Sequence, residues 1–284
     1  MLNLWFALPV AALLAGLGLH FGLLRGMRAQ YRKKRLGLQS DDDSATAPGR
    51  SLLEKIDRVT LDLKAHRLCV FVQPLLLAAL VMAHRKFNPG LDLQFLITST
   101  VACGIVFVYC LWNLIRGSRA RKRYQLSYDA DVQVGHALRD LESLGYHVFH
   151  GQTADTFNID HVVVGPKGVF TVETSAGPKG GTANAPVTYN GHVLFFPKST
   201  DEETVPHAVK QADLLSQWLG ENTGEPVSAR AIVAIPGWLV KRTTSEGVPV
   251  VNPSQFPSLF EHIKSRPLTQ TQIDRIVGQL QQKK

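Results

Sequence analysis

Asp160 and Glu173 lie in the stretch FNIDHVVVGPKGVFTVETS, at a spacing that could bring two carboxylates side by side. Gly165, Pro166, Lys167 and Gly168 interrupt a run otherwise rich in Val, Phe, Ile and Thr, so the stretch reads as two strands joined by a tight turn. With Gly165 facing Gly168, Asp160 falls directly opposite Glu173. Side chains so placed have Cβ atoms roughly 5 Å apart, and like charges there repel unless something offsets them. A divalent cation would do so. The same face carries Val162, Val164, Val169 and Thr171, and the other carries Ile159, His161, Val163, Phe170 and Val172. Both faces are largely apolar, which predicts a buried hairpin in which an acidic pair needs compensation. Pro166 suits type I or II turns rather than the primed types of two-residue hairpins. A bulge would shift the register by one and send the two carboxylates to opposite faces.

Three other polar residues fall where such a site could use them. Asp131 precedes Val134 and Leu138 at helical spacing, so it lies on or beside an apolar stripe; the competing reading is an exposed first-turn acid favoured by the helix dipole. Gln211 shares a stripe with Ala208, Leu215 and Trp218, which puts an amide on the packed side of its helix, where a lone Gln commonly just satisfies backbone groups. His161 is expected on the hairpin face opposite Asp160, as a satisfied core histidine rather than a ligand.

The elements that must position these residues begin near Tyr124. Ser127 is expected to cap a helix from about 128 to 144, followed by a strand at 146–150, the hairpin, and a second hairpin turning on Asn190 and Gly191. Thr204 and Pro206 open a helix to about Leu219, then strands at 229–235 and 248–251 and two closing helices at 254–264 and 269–282. That order implies one α/β domain over residues 124–284.

Residues 1–123 read as a transmembrane region. The runs 2–24 and 91–115 each exceed the ~20 apolar residues of a spanning helix, while the run 68–83 is shorter and contains Gln73 and Pro74. Basic clusters follow the first run (Arg25, Arg28, Arg32, Lys33, Lys34, Arg35) and the third (Arg116, Arg119, Arg121, Lys122, Arg123). The positive-inside rule puts both clusters in the cytoplasm, so two crossings must separate them and 68–83 is expected to span. The predicted topology is an external N-terminus, a cytoplasmic linker over 25–67 with a loop-like stretch at 36–50 and an amphipathic or span-extending helix at 51–67, and a cytoplasmic C-terminal domain. The first run lacks a basic n-region and reads as a retained anchor rather than a cleaved signal.

Of the formal charge of +8, residues 1–123 carry +11 (18 Lys and Arg against 7 Asp and Glu) and the remainder −3. The basicity therefore belongs to the apolar region, where topology and anionic headgroups account for it better than a nucleic-acid footprint. Cys69, Cys103 and Cys110 lie in apolar runs without CxxC spacing, which argues against a zinc site or a disulfide framework.

The segment DADVQVGHALRDLESLGYHVFHGQTADTFNIDHVVVGPKGVFTVET, with Gln211 in the later helix, resembles the nuclease-related (NERD) domain of the PD-(D/E)XK nuclease superfamily. The resemblance spans roughly 125–235 and implies a restriction-endonuclease-like core, a mixed sheet flanked by helices. By position it implies Asp160 and Glu173 as ligands of Mg²⁺ or Mn²⁺, Asp131 as the helical acid where the family has Glu, and Gln211 as the supporting amide. Ser175 stands where the family has its catalytic Lys, and a hydroxyl cannot supply that positive charge; Lys179 follows nearby, beyond Gly177 and Pro178. The expected function is a membrane-anchored, metal-dependent nuclease acting on nucleic acid, with DNA the leading substrate and the lipid bilayer the other partner. The alternatives are a catalytically impaired domain that binds nucleic acid or protein at the membrane, and a scaffold whose acids are structural.

Overall fold

The structure is a computed structural model that describes residues 47–87, 93–154, 157–177, 185–263 and 266–282, with isolated positions between 18 and 29. The expected span at 2–24 lies almost wholly outside these residues, as do most of the linker before Ala47 and Lys179. The chain divides into two compact units, one of residues 1–41 and 54–124 and one of residues 42–53 and 125–284.

The first unit is helical. Helix α1 (Arg50–Phe87) runs from the amphipathic stretch through the middle apolar run, with Pro74 inside it, so the two stretches form one helix. Helix α2 spans Leu93–Arg139. Both are long and apolar enough to cross a membrane, and Phe71, Met82, Val108 and Trp112 are each exposed by more than 60%. Such outward aromatic and aliphatic side chains are costly in water and ordinary against lipid.

Helix α2 contributes residues up to Tyr124 to the first unit and from Gln125 onward to the second. The predicted start at Ser127 is therefore wrong: the backbone is already helical there. Arg and Lys are good helix formers, so the change of composition at 116–123 alters what surrounds the helix without ending it. A short 3₁₀ turn (Asp140–Leu144) follows and stops at Gly145, whose φ of 80° suits glycine.

The second unit is built on a five-stranded sheet. Its strands are β1 (His147–Thr153), β2 (Asn158–Gly165), β3 (Gly168–Thr174), β7 (Ala229–Ala234) and β9 (Val250–Val251), in the order β1-β2-β3-β7-β9. The pairs β1–β2 and β2–β3 are antiparallel, and β3, β7 and β9 are parallel. A second sheet, in the order β6-β5-β4-β8, contains β4 (Ala185–Tyr189), β5 (Leu194–Phe196), β6 (Ser199–Asp201) and β8 (Trp238–Arg242). The hairpin of β4 and β5 forms around Asn190 and Gly191 as expected, pairing Tyr189 with Leu194. The short strands β6 and β8 carried no sequence signal.

Helices cover both faces of the first sheet. Val163, Phe170 and Val172 pack with Val134 and Leu138 of α2 and with Phe256 and Phe260, the latter two from helix α4 (Phe256–His262). Val162, Val164 and Val169 pack with Leu215 and Leu219 of helix α3 (Thr204–Thr223) and with Ile273, Ile276 and Leu280 of helix α5 (Gln270–Gln282). Each fully buried aliphatic side chain of this kind contributes about 1.5–3 kcal/mol. The result is an α/β core with a mixed sheet between helices, consistent with the restriction-endonuclease-like core expected from the sequence.

Candidate functional site

The hairpin register is the one the turn predicted. Gly165 pairs with Gly168 and His161 with Val172, without a bulge, so the next step outward sets Asp160 opposite Glu173. Gly165 is needed here because any Cβ would overlap the ring of Tyr146. Ile159 departs from the expected faces and joins the cluster of Val162 and Val164. The pairing of β1 with β2 skips Gly151 and Asp160, and Gly151 has a φ of 61°. The strand thus turns out of the ladder at Asp160, and the freed carboxylate accepts a hydrogen bond from the backbone N–H of Thr174 at 3.0 Å.

Asp131 is not a first-turn acid. It sits deep in α2, only 5% exposed, beneath the Pro48–Gly49 turn: a Cβ on Gly49 would come within 3.5 Å of its Oδ2. Its Oδ1 lies 3.1 Å from Nε2 of the fully buried His161. Despite that approach, this carboxylate oxygen makes no hydrogen bond among the described residues. The other ring nitrogen of His161, Nδ1, is 2.8 Å from Nδ1 of His150, its cross-strand partner. In that contact one ring donates and the other accepts. Burial and the neighbouring His161 push the His150 pKa down to about 4, so His150 is neutral at pH 7. His161 is a core histidine, as expected, but one that links the helical acid to the sheet.

The electrostatics bring the three acids together. Burial, then the charges of Asp160 and Asp131, push Glu173 up to about 8. Burial and Asp131 raise Asp160 as well, against the opposing pull of the Thr174 N–H, His161 and His207. No Lys or Arg pairs with any of the three among the described residues. Three carboxylates held near one another in a poorly solvated place, one with an orphaned oxygen, are hard donors of the kind Mg²⁺ or Mn²⁺ takes. The donor set fits such an ion in chemistry. Among the described residues, no three His, Cys, Asp or Glu side chains stand together as a ligand group in the arrangement of the side chains seen here.

Gln211 reaches the acids through a residue that sequence reasoning missed. Helix α3 is started by Asp201, whose Oδ1 accepts from the N–H groups of Glu203 and Thr204, each at 3.0 Å. Its first turns carry His207 and Gln211, four apart and so on one face. Gln211 Oε1 accepts from the N–H of Asn158 at 3.1 Å, which fixes the orientation of the amide. Its Nε2 can then only donate, at 3.1 Å, to Nε2 of His207. A neutral His207 therefore holds its proton on Nδ1, which lies 3.2 Å from Oε1 of Glu173. The spacing of four from Gln211 was the available signal for His207, and the alternation of β1 was the signal for His150.

Ser175 lies just past the end of β3. Its N–H donates to the carbonyl of Ala234 at 2.9 Å, and its hydroxyl accepts from the N–H of Gly177 at 3.4 Å. The structure thus links Asp131, Asp160 and Glu173 electrostatically, ties Gln211 to Glu173 through His207, and gives Ser175 local backbone partners.

In comparisons with known proteins, residues 127–236 match the family model described as the nuclease-related domain, NERD. No curated protein and no solved structure matches the chain.

Proposed function

Because this chain carries a nuclease-related domain over residues 127–236, we propose that it is a membrane-anchored, divalent-metal-dependent nuclease that hydrolyses phosphodiester bonds, with DNA the leading substrate. The observation that carries this reading is that Asp160 and Glu173 stand one step beyond the last ladder pair of one hairpin, His161 and Val172, and are both raised in pKa, Glu173 by burial and the charges of Asp160 and Asp131, Asp160 by burial and Asp131. Acids held in a poorly solvated place beside one another are costly to ionise, and a divalent cation would offset that cost. Asp160 and Glu173 would hold Mg²⁺ or Mn²⁺, with Asp131 as the third acid. When bound, such an ion polarises the scissile phosphate and lowers the pKa of water.

The chain's own groups then have distinct tasks. The Thr174 N–H holds Asp160 in place from one side. Gln211, fixed by Asn158, sets the tautomer of His207, which directs its Nδ1 proton at Glu173 and restrains that carboxylate. His161 supports Asp131 from beneath. Helices α1 and α2 would anchor the domain, in a multi-pass arrangement with the C-terminal domain in the cytoplasm, as the basic residues after the apolar run of α2 favour.

The second reading is a catalytically impaired domain that binds nucleic acid or a protein at the membrane. Ser175 favours it, since its hydroxyl is engaged with Gly177 and brings no positive charge. The deciding experiment incubates the full chain, in detergent, with supercoiled plasmid, single-stranded DNA and RNA in Mg²⁺, Mn²⁺ or EDTA, beside Asp160→Ala. Cleavage that requires metal and is absent in the variant supports the nuclease. Tight binding of the same nucleic acids without cleavage supports the second reading.

A further inference from the structure

The apolar part of α2 ends abruptly. From Leu93 to Ile115 there is no Asp, Glu, Lys or Arg, and from Arg116 to Arg123 there are five basic residues and no acid. At about 1.5 Å per residue the uncharged part extends about 35 Å, enough to cross a bilayer core, and the basic part extends about 12 Å. Within the basic part the charges are not evenly spread. Arg116, Arg119 and Arg123 are three and four residues apart, and with Trp112 they fall within a stripe about 60° wide at 3.6 residues per turn. Arg121 and Lys122 lie well off that stripe.

The stripe lines a recess of about 380 Å³, whose described walls are Trp112, Ile115, Arg116, Arg119, Ala120, Arg123 and Tyr124. No carboxylate pairs with any of the three arginines among the described residues. Trp112 and Ile115 are exposed at the edge of the apolar run, where an aromatic ring favours the boundary between lipid tails and headgroups. Guanidinium groups match phosphate oxygens bidentately.

We infer that this recess is a binding site for the phosphate of an anionic phospholipid, gripped by Arg116, Arg119 and Arg123 with Trp112 at the level of the glycerol and upper acyl chain. The inference rests on the reading of α2 as a membrane span. A membrane lipid is favoured over nucleic acid because the arginines continue directly from an uncharged, outward-facing apolar surface.

The test uses the full chain reconstituted in phosphatidylcholine vesicles with spin-labelled phosphatidylglycerol or spin-labelled phosphatidylcholine as probe. Each arginine near the surface is expected to contribute about fivefold in lipid association, so wild type should prefer labelled phosphatidylglycerol by at least about tenfold. The triple variant Arg116→Gln, Arg119→Gln, Arg123→Gln should lose that preference. Arg121→Gln with Lys122→Gln should keep it, and millimolar inorganic phosphate should leave it unchanged. Equal losses in both variants would overturn the site in favour of general charge attraction, and displacement of the labelled lipid by a short oligonucleotide would overturn it in favour of nucleic acid. Resistance to alkaline carbonate extraction is measured on the same vesicles. Protein that resists extraction yet shows no lipid preference refutes the site alone, whereas protein that is extracted refutes the membrane span and the site with it.

Discussion

Replacing Glu173 with Gln should stabilise the metal-free protein at alkaline pH and have little effect in acid. Burial and the neighbouring acids raise this carboxyl from 4.5 to about 8. A carboxyl whose pKa is raised by folding favours the folded state below its unfolded value and loses that advantage as pH climbs through the folded one. The window is therefore from about 4.5 to about 8. At about 1.4 kcal/mol per pH unit, the penalty added between pH 5.5 and pH 9 has a ceiling of about 3 kcal/mol. Relaxation and water entry around a side chain that is 18% exposed bring it to about 2 kcal/mol. The uncharged amide escapes this penalty. For a unit of this size, about 2 kcal/mol corresponds to roughly 4–8 °C in Tm. Thermal unfolding of the full chain in EDTA, for wild type and Glu173→Gln at pH 5.5, 7 and 9, reads the effect. The gap between variant and wild type should widen by about that amount toward pH 9. A gap that stays the same at all three pH values would refute the claim that Glu173 is buried among repelling acids.

Further outcomes follow from neighbouring contacts. His161→Phe should cost about 1–3 kcal/mol by leaving the ring nitrogen of His150 without its partner, and adding His150→Phe should recover part of it; urea unfolding of both single variants and the double variant measures the coupling. Gly165→Ala should cost about 1–3 kcal/mol because its methyl meets the Tyr146 ring, seen as a lower urea midpoint. Ser175→Lys, which supplies the cation that the family resemblance implies at this position, should raise cleavage by at least about tenfold in the plasmid assay.

The hairpin was legible because two independent signals agreed, the Gly-Pro-Lys-Gly break and the strand composition around it. Together they set a register that the structure reproduces at every paired step from Gly165 to His161. The continuity of α2 was not legible. A basic run reads as a boundary, but Arg, Ala and Lys are good helix formers and carry the helix across Gly117 and Ser118. The burial of Asp131 depends on the Pro48–Gly49 turn, about eighty residues earlier in the chain, which no local pattern could reveal. His150 and His207 escaped notice for the same reason: each acquires its role from a partner across the fold, His161 and Glu173 respectively. The strands β6 and β8 are short and borrow their stability from the neighbouring β5 and β4.

The central claim is that Asp160 and Glu173 form a divalent-metal site, and a Mn²⁺ titration of the full chain followed by electron paramagnetic resonance tests it most directly. Saturable Mn²⁺ binding to wild type is expected, lost in Asp160→Ala and in Glu173→Ala while both variants remain folded. Equal Mn²⁺ binding by wild type and both folded variants, or none by any of them, would contradict it.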